Sequence, residues 1–240
     1  MKIIRYVASS AGISRRKAME LLKDGKIYLN GSAALDASTD VSPGKDIITI
    51  NGKKLAPPNH IYLVMYKPRK TICSRYDPQG RQTILDLLEH RHKKANSVGR
   101  LDYNTTGVLL LTTDGELAQR LMRSKVIERK YMVKLWGNVS DESFDRWRRG
   151  ITIDGRKTRE AKVEIIERKG AVAKVNVTLT EGRYRIIHKL AEKTGMRVLK
   201  IHRFSFGGIR LKGLKPGMYR YLLPSELRHL QSLTKISPQI

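Results

Sequence analysis

Two stretches of strict period-two alternation, residues 160–168 and 171–180, meet at Lys169-Gly170. Alternation of apolar and polar positions is the pattern of a strand with one buried face, and a Gly-containing joint between two such strands reads as a hairpin. This pair restricts the fold more than any other feature, because a hairpin requires an antiparallel sheet. Further strand patterns lie near residues 61–66, 108–111, 131–135, 197–206 and 219–222. Helical patterns fall near 114–123, 141–149, 184–193 and from about 225. Strands joined in sequence, with helices between some of them, predict an α+β fold with a mostly antiparallel mixed sheet rather than a doubly wound one.

The pattern breaks at Leu55-Ala56-Pro57-Pro58-Asn59-His60, where two prolines interrupt helix and strand alike. The reading is therefore a module over residues 1–56, a connector over 57–60, and a larger domain over 61–240. Within the module, a short apolar pattern over residues 3–11 ends at Gly12. Ser14 stands as an N-cap ahead of Arg15-Arg16-Lys17-Ala18, and Gly25 is placed to terminate that second helix. Short strands are expected at 27–29 and 47–50, with turns at Asn30-Gly31, Pro43-Gly44 and Asn51-Gly52.

Charge decides the class of partner. The chain carries 48 Lys plus Arg against 22 Asp plus Glu, a formal net charge of +26. Residues 1–60 hold 10 against 5 and the remainder 38 against 17, so both parts are basic. Self-repulsion of this size is a cost to the compact state that a polyanion relieves. No apolar run approaches the roughly 20 residues of a membrane span, and nothing after Met1 resembles the apolar core of a secretion signal. Cys73 is the sole cysteine, which excludes an internal disulfide and a Cys-rich zinc site and fits a cytoplasmic protein; it is read as a small buried apolar residue. His90 and His92, spaced i, i+2, are read as part of a solvated basic stretch rather than as metal ligands. No metal or cofactor is expected, and a monomer is.

The arginines at the start of the second helix oppose its macrodipole, a placement against local preference. With Leu22, Gly25, Tyr28-Leu29-Asn30-Gly31 and Val41-Ser42-Pro43-Gly44-Lys45-Asp46, this region resembles an S4 RNA-binding domain. The resemblance implies that the helix beginning at Ser14 contacts structured RNA through Arg15, Arg16 and Lys17, with Lys23 and Lys26 beyond it. The opening helix lacks the Leu-Asp-Lys-Phe-like pattern usual there.

One constellation is dense in chemistry: Val98-Gly99-Arg100-Leu101-Asp102-Tyr103-Asn104-Thr105-Thr106-Gly107, running into the apolar stretch 108–111. A carboxylate on a loop fixed to a packed strand is a sound support for a nucleophile or base, although a turn Asp that caps local amides is the commoner case. Gly99-Arg100-Leu101-Asp102 with Thr105-Thr106-Gly107 resembles the signature of pseudouridine synthases of the RsuA/RluB type, which act on ribosomal RNA. The likeness continues through Tyr66-Lys67-Pro68, Asp77-Pro78-Gln79-Gly80-Arg81, Lys130-Tyr131, Glu181-Gly182-Arg183-Tyr184-Arg185 and Gly213-Leu214-Lys215-Pro216-Gly217.

That resemblance implies an isomerisation of uridine in ribosomal RNA or a ribosome assembly intermediate. The base flips out, the N1–C1′ bond breaks, and the uracil rejoins through C5. Asp102 falls at the catalytic aspartate, either attacking C1′ or removing the ribose 2′ hydrogen. Tyr131 falls at the tyrosine that stacks on the base, and Arg100 orients the flipped nucleotide, with Leu101 and Lys130 beside these two. Leu190 fits the apolar residue packing against the base, and Lys67 is assigned to RNA contact. The family usually places Arg or Lys where this chain has His188, to pair with the carboxylate; His188 in its protonated form, Lys189 or Arg185 are the candidates for that role here. Two other readings compete. A non-catalytic S4-type RNA-binding protein explains the charge but not the setting of Asp102. A glycosidase needs a second carboxylate, and Asp114 reads better as a helix start.

Overall fold

The computed structural model describes residues 1–235; the last five residues of the expected 61–240 domain lie outside them. The chain forms two compact units, Met1–His60 and Ile61–Ile240. In the first, α1 (Ile3–Ala11) ends at Gly12 in a left-handed conformation, and α2 (Arg15–Lys23) begins with the Ser14 hydroxyl accepting the Lys17 amide at 3.1 Å. Ala18 and Leu22 are buried against Ile3, Tyr6 and Val7 of α1. The expected strands are β1 (Ile27–Leu29) and β3 (Ile48–Ile50). Each gains a short antiparallel arm, β2 (Ser32–Ala33) and β4 (Lys53–Lys54), in a sheet of order β2-β1-β3-β4. Asn30-Gly31 and Asn51-Gly52 both adopt positive φ, so their backbone twist suits two-residue hairpins.

The second unit is built on an eight-stranded sheet. Its strands are β5 (Tyr62–Lys67), β6 (Asn96–Ser97), β7 (Thr106–Thr112), β8 (Arg129–Gly137), β11 (Lys162–Lys169), β12 (Val172–Leu179), β13 (Met196–Phe206) and β14 (Tyr219–Tyr221), while β9 (Thr152–Ile153) and β10 (Arg156–Lys157) form a separate small hairpin. The order is β11-β12-β8-β13-β7-β5-β14, with β6 on β7, and every pairing is antiparallel except β13 with β7. The Lys169-Gly170 joint closes the β11–β12 hairpin as its alternation requires.

Alternation divides the sheet into two faces. On one, Tyr131, Val133 and Leu135 of β8 pack with Phe144 and Trp147 of α4 (Asp141–Arg149) and with Ile187 and Leu190 of α5 (Ile186–Lys193). On the other, Val64, Val108 and Leu110 pack under Leu117 and Leu121 of α3 (Gly115–Arg123) and Leu230 of α6 (Pro224–Lys235). At about 25 cal/mol per Å² of apolar area removed from water, these layers supply the dominant stabilising term. β7 is buried along its whole length, so the loop before it sits on a rigid base.

The parallel junction exists because of a glycine. Gly107 has φ +117, and a Cβ there would lie 2.1 Å from the Arg203 carbonyl oxygen. Only glycine lets β7 approach β13 so closely, which brings Arg203 alongside the segment that follows Asp102.

His92 departs from the sequence reading. It is buried, with Nδ1 3.0 Å from the Tyr219 hydroxyl and Nε2 2.6 Å from that of Tyr221. A single 3₁₀ turn, His90–His92, swings it inward, an arrangement that i, i+2 spacing does not reveal. Among the described residues no helix is long and apolar enough to cross a membrane, and no group of three His, Cys, Asp or Glu is placed to hold a metal ion.

Candidate active site

Asp102 stands at a pocket of about 860 Å³ between the loop before β7, the strands β8 and β13, and the start of α5. Among the described residues six arginines line it (Arg81, Arg100, Arg129, Arg183, Arg185 and Arg203), and Asp102 is its one carboxylate. The Asp102 backbone carbonyl accepts the Thr105 amide at 3.0 Å, closing the turn, while its side chain remains 40% exposed and free of a capping amide. A turn Asp that merely satisfies local backbone would show such a bond. Asp114 shows it: Oδ1 accepts from the Glu116 and Leu117 amides at 3.1 and 2.9 Å, which removes it as a second catalytic carboxylate.

His188 is the partner of Asp102, with Nδ1 3.8 Å from Oδ2. That nitrogen is buried and has no hydrogen-bond partner among the described residues. Burial first, then the positive Arg185, push the imidazole below its ordinary value, and Asp102 opposes them. Arg185 is held at positive φ (+49), immediately before α5. A non-glycine residue in that region costs about 1–3 kcal/mol, a concentration of strain where the pocket wall turns.

Tyr131 lies near the start of β8, 8% exposed, flanked in register by Val177 and Arg203, and lines the pocket. Arg203 is 3% exposed. Its Nε donates to the Val108 carbonyl at 2.8 Å, while Nη2 is buried without an acceptor. An unpaired guanidinium nitrogen beside an open pocket is a donor in want of an acceptor, because leaving it unsatisfied is costly. Phe206 lies between Arg203 and Arg129, each guanidinium carbon about 5 Å from its ring, at 5.0 and 5.3 Å. At the rim, Arg81 grips Asp77 through two bonds of 2.7 and 2.9 Å and lies over the Tyr103 ring; the paired guanidinium holds the Asp77 carboxyl down to about 2.

Four assignments made from the sequence change. Lys67 is fully buried, not an RNA contact: its Nζ donates to the carbonyls of Pro68 (2.9 Å), Thr105 (2.9 Å) and Tyr103 (3.4 Å), tying down the loop that carries Asp102. Burial brings its ammonium down to about 8. Lys130 faces away from Tyr131, as adjacent strand residues must, and pairs with Glu128 at 3.0 Å. Lys189 is committed to Asp154 and does not line the pocket, so it is no substitute for His188. Leu190 is 1% exposed within the core one helical turn too deep; Ile186 and Ile187 supply the apolar wall instead. Arg100, Leu101, Asp102, Tyr131, Arg185 and His188 do converge on the pocket. Cys73 is only partly buried and also lines it, its Sγ accepting the Leu101 amide at 3.4 Å and its thiol raised by burial, which suits packing rather than attack. Arg203 was missed, yet a signal existed: it occupies the buried phase of β13, between Ile201 and Ser205.

In the first unit, Arg15, Arg16, Lys17, Lys23 and Lys26 are all exposed. Arg16 and Lys17 share Glu20 and Lys26 pairs with Asp24, leaving Arg15 and Lys23 without a carboxylate partner among the described residues.

A basic helix–sheet unit followed by a sheet with a single-carboxylate, arginine-lined pocket defines a catalyst for a polyanionic substrate. Residues 61–193 match the family model described as RNA pseudouridylate synthase, and residues 1–47 match that of the S4 domain. The chain is 35% identical over 237 residues to the ribosomal large subunit pseudouridine synthase B of Bacillus subtilis (strain 168), covering 97% of both proteins. It is 35% identical to the protein of the same name from Escherichia coli (strain K12), covering 99% of this chain and 84% of the other. A crystal structure of a pseudouridylate synthase superposes with a TM-score of 0.68 at 29% identity, over 96% of this chain and 99% of that one. The chain belongs to the RNA pseudouridylate synthase family.

Proposed function

We propose that this protein isomerises one uridine of ribosomal RNA, in the large subunit, with Asp102 as the catalytic carboxylate. The observation that carries the reading is the lone carboxylate of an arginine-lined pocket, paired with His188 and facing Tyr131. The relatives named above supply the substrate.

The target base leaves its stack before C1′ is accessible, at a cost of a few kcal/mol. Stacking on Tyr131 returns about 1–3 kcal/mol of that. The arginines of the rim hold the flanking phosphates, and Arg203 Nη2 donates to a uracil carbonyl, its missing acceptor. As the N1–C1′ bond breaks, negative charge gathers on the departing uracil, and the fixed cations of the pocket stabilise it. Asp102 meets the electron-deficient ribose. The uracil turns, C5 bonds to C1′, the proton on C5 leaves and N1 takes up one proton, so atoms and electrons balance without a redox partner. In this reading the catalyst is a monomer working in the cytoplasm alongside ribosome assembly. The S4-like unit docks the RNA through Arg15 and its neighbours.

The test is a pseudouridine map of ribosomal RNA, by chemical adducts and primer extension, from cells with and without the gene, complemented by Asp102→Asn. One site should vanish without the gene and stay absent with the variant, while purified variant still binds RNA. An unchanged map would leave an RNA-binding protein without this activity.

A further inference from the structure

The face of the sheet turned away from the Tyr131 pocket carries an arrangement that folding alone does not favour. Lys134 at the centre of β8 lies directly opposite Lys174 on β12 and directly opposite Lys200 on β13. Facing residues on adjacent strands hold their Cβ atoms about 4.5–5.5 Å apart, and like charges so placed destabilise a sheet. Lys134 and Lys200 are exposed and Lys174 is half-buried. None of the three has a carboxylate within 4 Å among the described residues. Glu167, the residue facing Lys174 on β11, forms no such pair either.

Some basic residues of these strands are neutralised: Lys130 and Lys162 share Glu128, and Arg168 takes Asp141 at 2.7 Å. The rung differs in setting three lysines side by side with no carboxylate among them. On the next rung Arg197 faces Trp136 and lies over its ring at 5.0 Å, adding a fourth cation and covering the aromatic face. Trp136 is still 48% exposed, but the cations outnumber the single aromatic, so the surface suits phosphates first. With strands about 4.8 Å apart the rung spans roughly 10 Å, enough to meet more than one phosphate of a nucleic-acid backbone.

We infer that Lys134, Lys174 and Lys200, with Arg197, bind the phosphate backbone of a second segment of the RNA whose uridine enters the pocket on the opposite face. This rests on the proposed action on RNA and extends it: the sheet is gripped from both sides, one face reading the target nucleotide and the other holding a neighbouring stem without regard to its sequence. RNA is preferred to an acidic protein because the rung sets three point charges in a line across adjacent strands, continued by Arg197, which matches the repeating charge of a phosphate backbone.

The test compares the full chain with a Lys134→Gln/Lys200→Gln variant, using filter binding to in vitro transcribed large-subunit ribosomal RNA and to a perfectly paired RNA duplex of unrelated sequence, across a salt series. Each lost phosphate contact removes about 0.7–0.9 from the slope of log affinity against log salt, so the variant should be shallower by roughly 1.5 on both RNAs. Its melting temperature without RNA should be equal or higher, since repulsion within the rung is relieved. Superposable slopes overturn the inference, as does a lower melting temperature with an unchanged slope, which would make the rung structural. Repeating the series in the Asp102→Asn background separates the two readings. A protein that forms no pseudouridine would overturn the activity while leaving the slope difference to be read.

Discussion

In the proposed mechanism, the pairing of Asp102 with a histidine makes catalysis depend on pH in a way a permanently charged partner would not. At 3.8 Å, two unit charges interact by about 1 kcal/mol in a water-like medium and about 4 kcal/mol at an effective dielectric of 20. The side chains of His188 and Asp102 are 29% and 40% exposed, so solvent screening places the effect near the lower end, about 1–2 kcal/mol. That is roughly a 5- to 30-fold difference in rate. Burial and Arg185 lower the imidazole from its ordinary value, so at neutral pH and above His188 is mostly uncharged. The contribution grows as pH falls through and below the ordinary imidazole range. Single-turnover release of tritium from C5-labelled uridine in the RNA, measured across pH, reads it. His188→Arg should exceed the parent by roughly 5- to 30-fold at alkaline pH and converge with it in mild acid, whereas His188→Gln should lose the acid-side rise. Parallel profiles for all three proteins would refute the argument. The same shift acts on stability with its own sign. A base whose folded value is depressed contributes stability that is present above its unfolded value and lost as pH falls through the folded one. The parent should therefore soften thermally in the acid window where its pairing improves, and the arginine variant should not soften to the same degree.

Lys67→Met leaves the Tyr103 and Thr105 carbonyls without their donor; it should cost about 1–3 kcal/mol in chemical denaturation and lower kcat more than it raises KM. Because burial brings Lys67 down to about 8, the parent should gain stability between about pH 8 and the ordinary lysine range, where the unfolded chain holds the extra proton, and this gain should disappear in Lys67→Met. Gly107→Ala forces both a positive φ and a contact with the Arg203 carbonyl; a loss of about 3 kcal/mol or more in the same assay is expected, and a near-neutral result would mean that the β7–β13 junction is looser than described.

The architecture was legible where local chemistry and periodicity agreed. The β11–β12 hairpin, α4, the Ser14 cap and the Gly12 and Gly25 terminations follow from alternation, amphipathic spacing and capping residues within a few positions of each other. The short arms β2 and β4 were implicit in their Asn-Gly turns. The pocket was legible through resemblance at Asp102, Tyr131, Arg185 and His188. The errors share one cause: the direction of a side chain depends on partners distant in sequence. Lys67 reads as a surface lysine because nothing adjacent to it shows the Thr105 carbonyl 38 residues away. Lys189 and Leu190 sit next to His188 in sequence, but on α5 each step turns a side chain by about 100°, carrying one to Asp154 and the other into the core. His92 is captured by tyrosines more than a hundred residues later.

The parallel junction of β7 with β13 also sets an order of events. Thr106 meets His202 across 96 residues of chain, so Asp102 and its loop emerge from a translating ribosome long before the strand that supplies Arg203. At about 5–20 residues per second, that gap lasts roughly 5 to 20 s. During it the aspartate loop can rest on β5, its partner from earlier in the chain, but the pocket has no far wall. Closing so long a loop is slow relative to local hairpins. The pocket is therefore assembled late in synthesis, whereas the first compact unit, Met1–His60, is free to fold first.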